Sequence, residues 1–124
     1  MYKRQPVNLD LNTITFPPTA ISSILHRATG VAMFIALVFA LWAWSVSLSS
    51  PEGFDRVVAI MNGIVGYIIT VGTVSLITYH MLAGFRHMFM DMGHWEELES
   101  GNLSAKITIG LWLVLTVVEA IVIW

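Results

Sequence analysis

The stretch VVAIMNGIVGYIITVGTVSLITYHMLAGF, Val57 to Phe85, contains no Asp, Glu, Lys or Arg, and Arg56 and Arg86 bracket it. A helix that crosses a bilayer needs roughly 20 apolar residues. This run has length to spare, so it should tilt or project beyond the hydrocarbon. Two further runs flank it: residues 28–51, between Arg27 and Glu52, and Ile107 to Trp124, interrupted only by Glu119. The sequence therefore predicts an all-α integral membrane protein. Residues 1–124 form one domain, with transmembrane helices near 22–48, 56–89 and 104–124.

Composition agrees. Of the 124 residues, 56% are hydrophobic and only 11% are charged, with a mean hydropathy of +0.76. Soluble domains carry roughly a quarter charged residues. A net charge of −2 gives nucleic acid nothing to bind. The chain has no cysteine, which excludes disulfides, iron–sulfur ligation and thiolate chemistry by this chain alone. The opening MYKRQPVNLDLNTITFPP lacks the apolar core and cleavage site of a signal peptide. It also lacks the character of a mitochondrial transit peptide. A multi-pass protein of a bacterial inner membrane is expected.

Basic residues set the orientation. With the N-terminus cytoplasmic, Lys3, Arg4, Arg27, Arg86 and Lys106 all fall inside and only Arg56 falls outside, which leaves the C-terminus outside. SLSSPEGFD (47–55) reads as a short outer loop, with Ser50 as a cap and Pro51 in a first helical turn. DMGHWEELESGNLS (91–104) reads as a cytoplasmic loop with Gly93 as a helix stop. Pro17-Pro18 delays the first helix to about Thr19. VNLDLNTITF, before it, alternates apolar and polar residues and suits a membrane surface or a partner. Glu119, close to Trp124, is placed to snorkel toward the outer interface.

The segment HMLAGFRHMFMDMG (80–93) carries the candidate chemistry. His80 lies six residues before Arg86, about 9 Å deeper along the helix at 1.5 Å per residue. An imidazole at that depth is costly without a partner. Two partners are open: a Thr or Ser hydroxyl on a neighbouring helix, or haem iron. His80, Gly84 and His87 fall at i, i+4 and i+7 on one face. Gly84 leaves room for a flat macrocycle beside the histidine, or for close helix packing. His80 and His87 stand about 10 Å apart on one side of one helix, so they cannot be trans ligands of one iron. His26 reads as too shallow to pair with His80, His94 lies in a loop, and Met33, Met61 and Met81 read as packing. The chain looks like half of a haem site.

The first helix opens with TAISSILHRATG (19–30), polar for a spanning segment. Thr19, Ser23 and Arg27 recur every four residues on one face. Singly, they suit helix capping and phosphate contacts. Together they describe an amphipathic pocket in the leaflet of His80. The Ser23 hydroxyl can donate to a carbonyl oxygen, and Arg27 can stabilise negative charge there or pair with a carboxylate. A lipid-soluble quinone and haem propionates both need such groups.

With these residues in place, the chain resembles the cytochrome b556 membrane-anchor subunit of bacterial succinate dehydrogenase (succinate–quinone oxidoreductase, complex II). Two motifs carry the resemblance: S-x-x-H-R-x-[ST]-G at Ser23–Gly30 and H-x-x-x-G-x-R-H-x-x-x-D-x-G at His80–Gly93. PVNLDL (6–11) and SLSSPEGF (47–54) add to it, and it covers essentially the whole chain. The family's usual Arg-Pro near the N-terminus is Gln5-Pro6 here, with Arg4 one position earlier. The resemblance implies three helices that form half of a heterodimeric helix bundle in a four-subunit complex. By the same resemblance, a flavoprotein with FAD would oxidise succinate, an iron–sulfur subunit would relay the electrons, a second anchor would share haem b with this chain, and ubiquinone would be the acceptor. By position, His80 matches the haem ligand, with the trans histidine from the second anchor, and Ser23 and Arg27 match quinone-site residues. His26 and Arg27 fall where the haem propionates approach, and Gly84 and His87 belong to the haem surroundings. Asp91 reads either as a participant in proton delivery or as a helix-end carboxylate paired with Arg86. The rival expectations are a menaquinone-linked fumarate reductase anchor and a purely structural anchor without a redox role.

Overall fold

The computed structural model describes residues 7–10 and 12–124, so Lys3, Arg4 and the Gln5-Pro6 departure lie outside the described residues. The described chain is all helical: α1 Pro18–Ser49, α2 Pro51–Met61, α3 Ile64–Asp91 and α4 Leu98–Ile123. Three of these, α1, α3 and α4, are long and apolar enough to cross a membrane. At 32 residues, α1 is about 48 Å long and outreaches the roughly 30 Å hydrocarbon core.

The second span differs from its sequence reading. One helix was expected over 56–89, but the chain breaks at Asn62-Gly63 into α2 and α3. Asn62 caps α2 with a near-zero ψ of −4°, and Gly63 returns to extended backbone before α3 begins. An Asn-Gly pair is a strong turn signal. The apolar run is thus divided between two helices. The 11-residue α2, with Glu52, Asp55 and Arg56 in its first turns, is too short to span.

The other boundaries follow local chemistry. Pro18 opens α1 as its first helical residue. Ser50 separates α1 from α2 and accepts a hydrogen bond from Gly53 N–H at 3.0 Å, so its expected capping role is met while the expected outer loop shrinks to that one residue. Gly93 ends α3 with φ +86°, a left-handed conformation that glycine adopts freely. His94 N–H then closes back on the Phe89 carbonyl at 3.1 Å. Helix α4 begins at Leu98, six residues before the expected 104. The segment ahead of α1 forms Asx turns: Asn8 accepts from Asp10 N–H (3.1 Å) and Asp10 from Asn12 N–H (3.0 Å).

Helix α3 packs against both α1 and α4, which also touch each other, with Thr19 N–H donating to Asn102 Oδ1 at 3.4 Å. Large apolar side chains such as Phe34, Val38, Leu113 and Val117 face outward and are exposed. The interior instead holds Tyr79, Ala83, Ala105, Ser22, Thr29, Ser75, Ser104 and Arg86. Small and polar residues inside with apolar residues outside is the membrane arrangement, where lipid solvates the hydrophobes and helices meet through small residues and hydrogen bonds.

Candidate functional site

Near the start of α1, two adjacent faces do different work. Ser22, His26 and Thr29 recur at i, i+4 and i+7 and point at α3. Ser22 is fully buried and accepts from the Tyr79 hydroxyl, which lies 3.0 Å from the Ser22 carbonyl and 3.2 Å from its Oγ. Tyr79 is itself fully buried and packs edge-on against Trp112 of α4 at 5.0 Å. The tyrosine therefore pins all three spanning helices together, and its chain neighbour is His80.

His80 sits against α1 with its Nδ1 3.1 Å from the His26 carbonyl and 3.2 Å from Thr29 Oγ1. The hydroxyl-bonded arrangement expected of a merely structural histidine is therefore present, but it occupies one ring nitrogen only. Nε2 makes no hydrogen bond among the described residues, and it is not sealed within protein. The lack of a side chain at Gly30 makes this fit possible. A Cβ there would stand 3.2 Å from His80 Cε1, tighter than nine in ten real contacts of that kind.

His26 stacks on His80 with ring centroids 4.1 Å apart and planes 20° apart, and His87 tilts against His26 at 5.1 Å. This corrects the depth assigned to His26. Because α1 starts at Pro18, His26 lies about 12 Å inside the helix, level with His80 rather than above it. The two still cannot be trans ligands of one iron, for a different reason: they meet face to face, whereas trans ligands aim nitrogens at each other across the metal. The space left by Gly84 faces His26, whose Nε2 would stand 3.7 Å from an added Cβ, an ordinary contact.

Ser23 and Arg27 lie on the neighbouring flank of α1, Ser23 half-buried and Arg27 exposed. Neither is drawn into the histidine cluster by a hydrogen bond. Two clefts, of about 290 and 690 Å³, are lined by other residues, with Arg86 in the smaller and Trp42 and Thr73 in the larger. Neither cleft includes His26, His80 or His87. Asp91 is exposed at the end of α3. Its expected ion pair with Arg86 is not formed: Arg86, only 4% exposed, donates from Nε to Ser104 Oγ (2.9 Å) and from Nη2 to the Gly101 carbonyl (3.1 Å).

Sequence reasoning missed Thr29, Gly30, Tyr79 and Arg86 as builders of this end of the molecule. For Thr29 and Gly30 a signal was present, since both sit one turn beyond His26 on its own face. Among the described residues, no group of three or more His, Cys, Asp or Glu side chains can hold a metal ion. A metal at His80 would take its other ligands from a prosthetic group or another chain. A single imidazole with one nitrogen bonded to a carbonyl and the other open is the donor that a macrocycle-bound iron accepts.

Comparison with known proteins agrees along the whole length. Residues 1–118 match the family described as succinate dehydrogenase/fumarate reductase transmembrane subunit. The succinate dehydrogenase cytochrome b556 subunit of Coxiella burnetii is 32% identical, with 100% of each chain covered. That of Paracoccus denitrificans is 33% identical over 95% of this chain and 91% of its own. The succinate dehydrogenase cytochrome b560 subunit of Reclinomonas americana is 29% identical over 95% of this chain and 85% of its own. With three long apolar helices and bacterial relatives of this kind, the chain is a multi-pass inner-membrane protein.

Proposed function

The chain belongs to the family of succinate dehydrogenase/fumarate reductase transmembrane subunits, and from that premise we propose that it is the haem b- and quinone-binding anchor of a succinate dehydrogenase, passing electrons from succinate oxidation to ubiquinone. As a family member it is a subunit of a larger oxidoreductase complex rather than a catalyst alone. Its partners are a flavoprotein carrying FAD, an iron–sulfur subunit and a second membrane anchor. That second anchor completes the helix bundle and supplies the other iron ligand.

The observation that carries this reading is the split between the two nitrogens of His80. Nδ1 is held by α1, and Nε2 makes no hydrogen bond among the described residues. A histidine kept only for helix packing has no need of an open nitrogen. His80 would hold haem b, which would supply a one-electron store when bound. His26 and Arg27 would meet the carboxylates of such a group, and Gly84 and His87 would belong to its surroundings.

Ser23 and Arg27 are one helical turn apart on α1 and make no hydrogen bond among the described residues, so both are free to engage quinone. The Ser23 hydroxyl donates to a quinone carbonyl oxygen. The Arg27 guanidinium stabilises the negative charge that reduction places there. Asp91, exposed at the end of α3, hands protons in from the cytoplasmic face. With the N-terminus cytoplasmic, electrons and protons reach the quinone from one side, and turnover moves no net charge across the membrane.

The test is made on the assembled complex. Ser23→Ala and Arg27→Ala should each lower quinone reduction by about 10²-fold while leaving succinate oxidation by an artificial acceptor intact; full quinone reductase activity in both would overturn the site. His80→Ala should strip the reduced b-type haem spectrum, and an unchanged spectrum would leave only a structural tether. The family also includes anchors of fumarate reductases. Activity with menaquinone but not ubiquinone would move the assignment to that branch.

A further inference from the structure

This inference builds on the reading of His80 Nε2 as the iron ligand. We propose that Thr29, acting with the main-chain carbonyl of His26, is a positioning residue that fixes the tautomer and the ring orientation of His80.

The argument is one of donors and acceptors. The Thr29 hydroxyl has one proton and donates it to the His26 carbonyl at 2.9 Å. That carbonyl can only accept. His80 Nδ1 lies 3.1 Å from the carbonyl oxygen and 3.2 Å from Thr29 Oγ1. With the Thr29 proton committed, Nδ1 faces two acceptors. A lone pair on Nδ1 would confront the carbonyl's own lone pairs. Nδ1 therefore carries the hydrogen, shared between Thr29 Oγ1 and the carbonyl, and the neutral ring keeps its lone pair on Nε2. This is the tautomer that binds a metal through Nε2, with the second nitrogen donating to a carbonyl.

Orientation follows from the same contacts. The His26 carbonyl and Thr29 Oγ1 hold the Nδ1 edge, the His26 ring covers one face at 4.1 Å, and Gly30 abuts Cε1. Thr29 is buried, so water does not replace its hydroxyl. Because Thr29 follows His26 by three residues within α1, a single helical turn supplies the carbonyl, the hydroxyl and the stacking ring together.

The experiment uses Thr29→Val, which keeps shape and removes the hydroxyl, and Thr29→Ser, which keeps the hydroxyl, in the assembled four-subunit complex, with His80→Ala as reference. Readouts are the haem dissociation rate, the haem midpoint potential and the spectrum of the oxidised haem. Expected for Thr29→Val is about 10-fold or faster haem loss, an upward shift in potential as the imidazole donates less to iron, and a second haem population in the spectrum. Thr29→Ser should restore all three. If Thr29→Val matches the natural complex in all three while His80→Ala strips haem, the positioning role is overturned and the ligand assignment stands. If His80→Ala retains haem, the ligand assignment falls and this inference falls with it. Should the Thr29→Val complex not assemble, Thr29→Ala provides the same comparison with Thr29→Ser.

Discussion

The two seams that α3 makes, one with α4 and one with α1, handle polar groups in opposite ways. Along the α4 seam nearly every polar group finds its partner inside the chain. Arg86 bonds Ser104 and the Gly101 carbonyl, Ser75 meets Thr116 at 2.7 Å and Trp112 Nε1 at 2.9 Å, and Tyr67 donates to the Ala120 carbonyl at 2.7 Å. Along the α1 seam, His80 keeps one nitrogen open, and Ser23 and Arg27 beside it stay uncommitted. Away from water an unpaired polar group is costly, so a membrane helix retains one where something else will pair with it. On the proposed reading, the closed seam holds the fold and the open seam holds the chemistry. Substitutions test that division by whether they move stability or ligand.

The largest effect is expected from Arg86→Ala. It removes two charge-assisted hydrogen bonds and leaves a void between α3 and the first turns of α4, a loss of about 2–4 kcal/mol. Unfolding of the assembled complex in detergent measures it, and the haem spectrum of the molecules that remain folded should be natural. A change in haem environment without loss of stability would break the comparison, because Arg86 would then belong to the open seam.

Next come two glycines that sequence alone does not distinguish. Gly30→Ala drives a methyl against His80 and should speed haem loss about 10-fold, the range seen when a ligand's supporting contacts are disturbed. Gly84→Ala meets His26 at an ordinary distance and should leave haem retention within about twofold on the same scale. Equal effects of the two would show that the room needed by the macrocycle lies at Gly84 after all. Smaller again is Ser75→Ala, which deprives Trp112 and Thr116 of a partner. Interhelical hydrogen bonds in membranes average about 0.6 kcal/mol and reach about 1.7. A stability loss in that range with unchanged quinone reduction keeps Ser75 in the closed seam.

How far the sequence reaches differs between the same two seams. Spans were legible because charge is excluded from the hydrocarbon, and His80 stood out because an imidazole there is costly. Gly93 was marked correctly as a helix stop, and the proline pair placed the start of α1 within a residue of Pro18 although the span was drawn only from 22. The break at Asn62-Gly63 was hidden by its apolar surroundings, which made α2 and α3 read as one run although the turn pair was visible. The level of His26 was misjudged because depth was counted from a helix start four residues too late. Arg86 was read as a topology marker and a possible partner of Asp91, since nothing local says that Gly101 and Ser104 would supply its hydrogen bonds. Local signals locate elements, whereas partners brought together by antiparallel packing depend on a register that one chain's pattern does not print.

Glu119 gives the smallest expected change and the sharpest test of whether the α4 seam is closed. It was expected to snorkel toward the outer interface. Instead its side chain leans toward the N-terminus of α4, as helical side chains do, and accepts from Thr78 Oγ1. The other carboxyl oxygen, Oε2, is buried without a hydrogen-bond partner. Glu119→Gln keeps the acceptor for Thr78 and nearly the same volume, so in a seam complete within this chain the complex should change by less than about 0.5 kcal/mol. Glu119→Ala should cost about 1 kcal/mol, because Thr78 then lacks its partner. A Gln variant as weak as the Ala variant would mean that the full carboxyl group is needed, with Oε2 accepting from a donor outside this chain. Glu119 would then mark a second open position at the far end of the helices, and the contrast between a structural and a functional seam would hold only for the halves that carry His80 and Arg86.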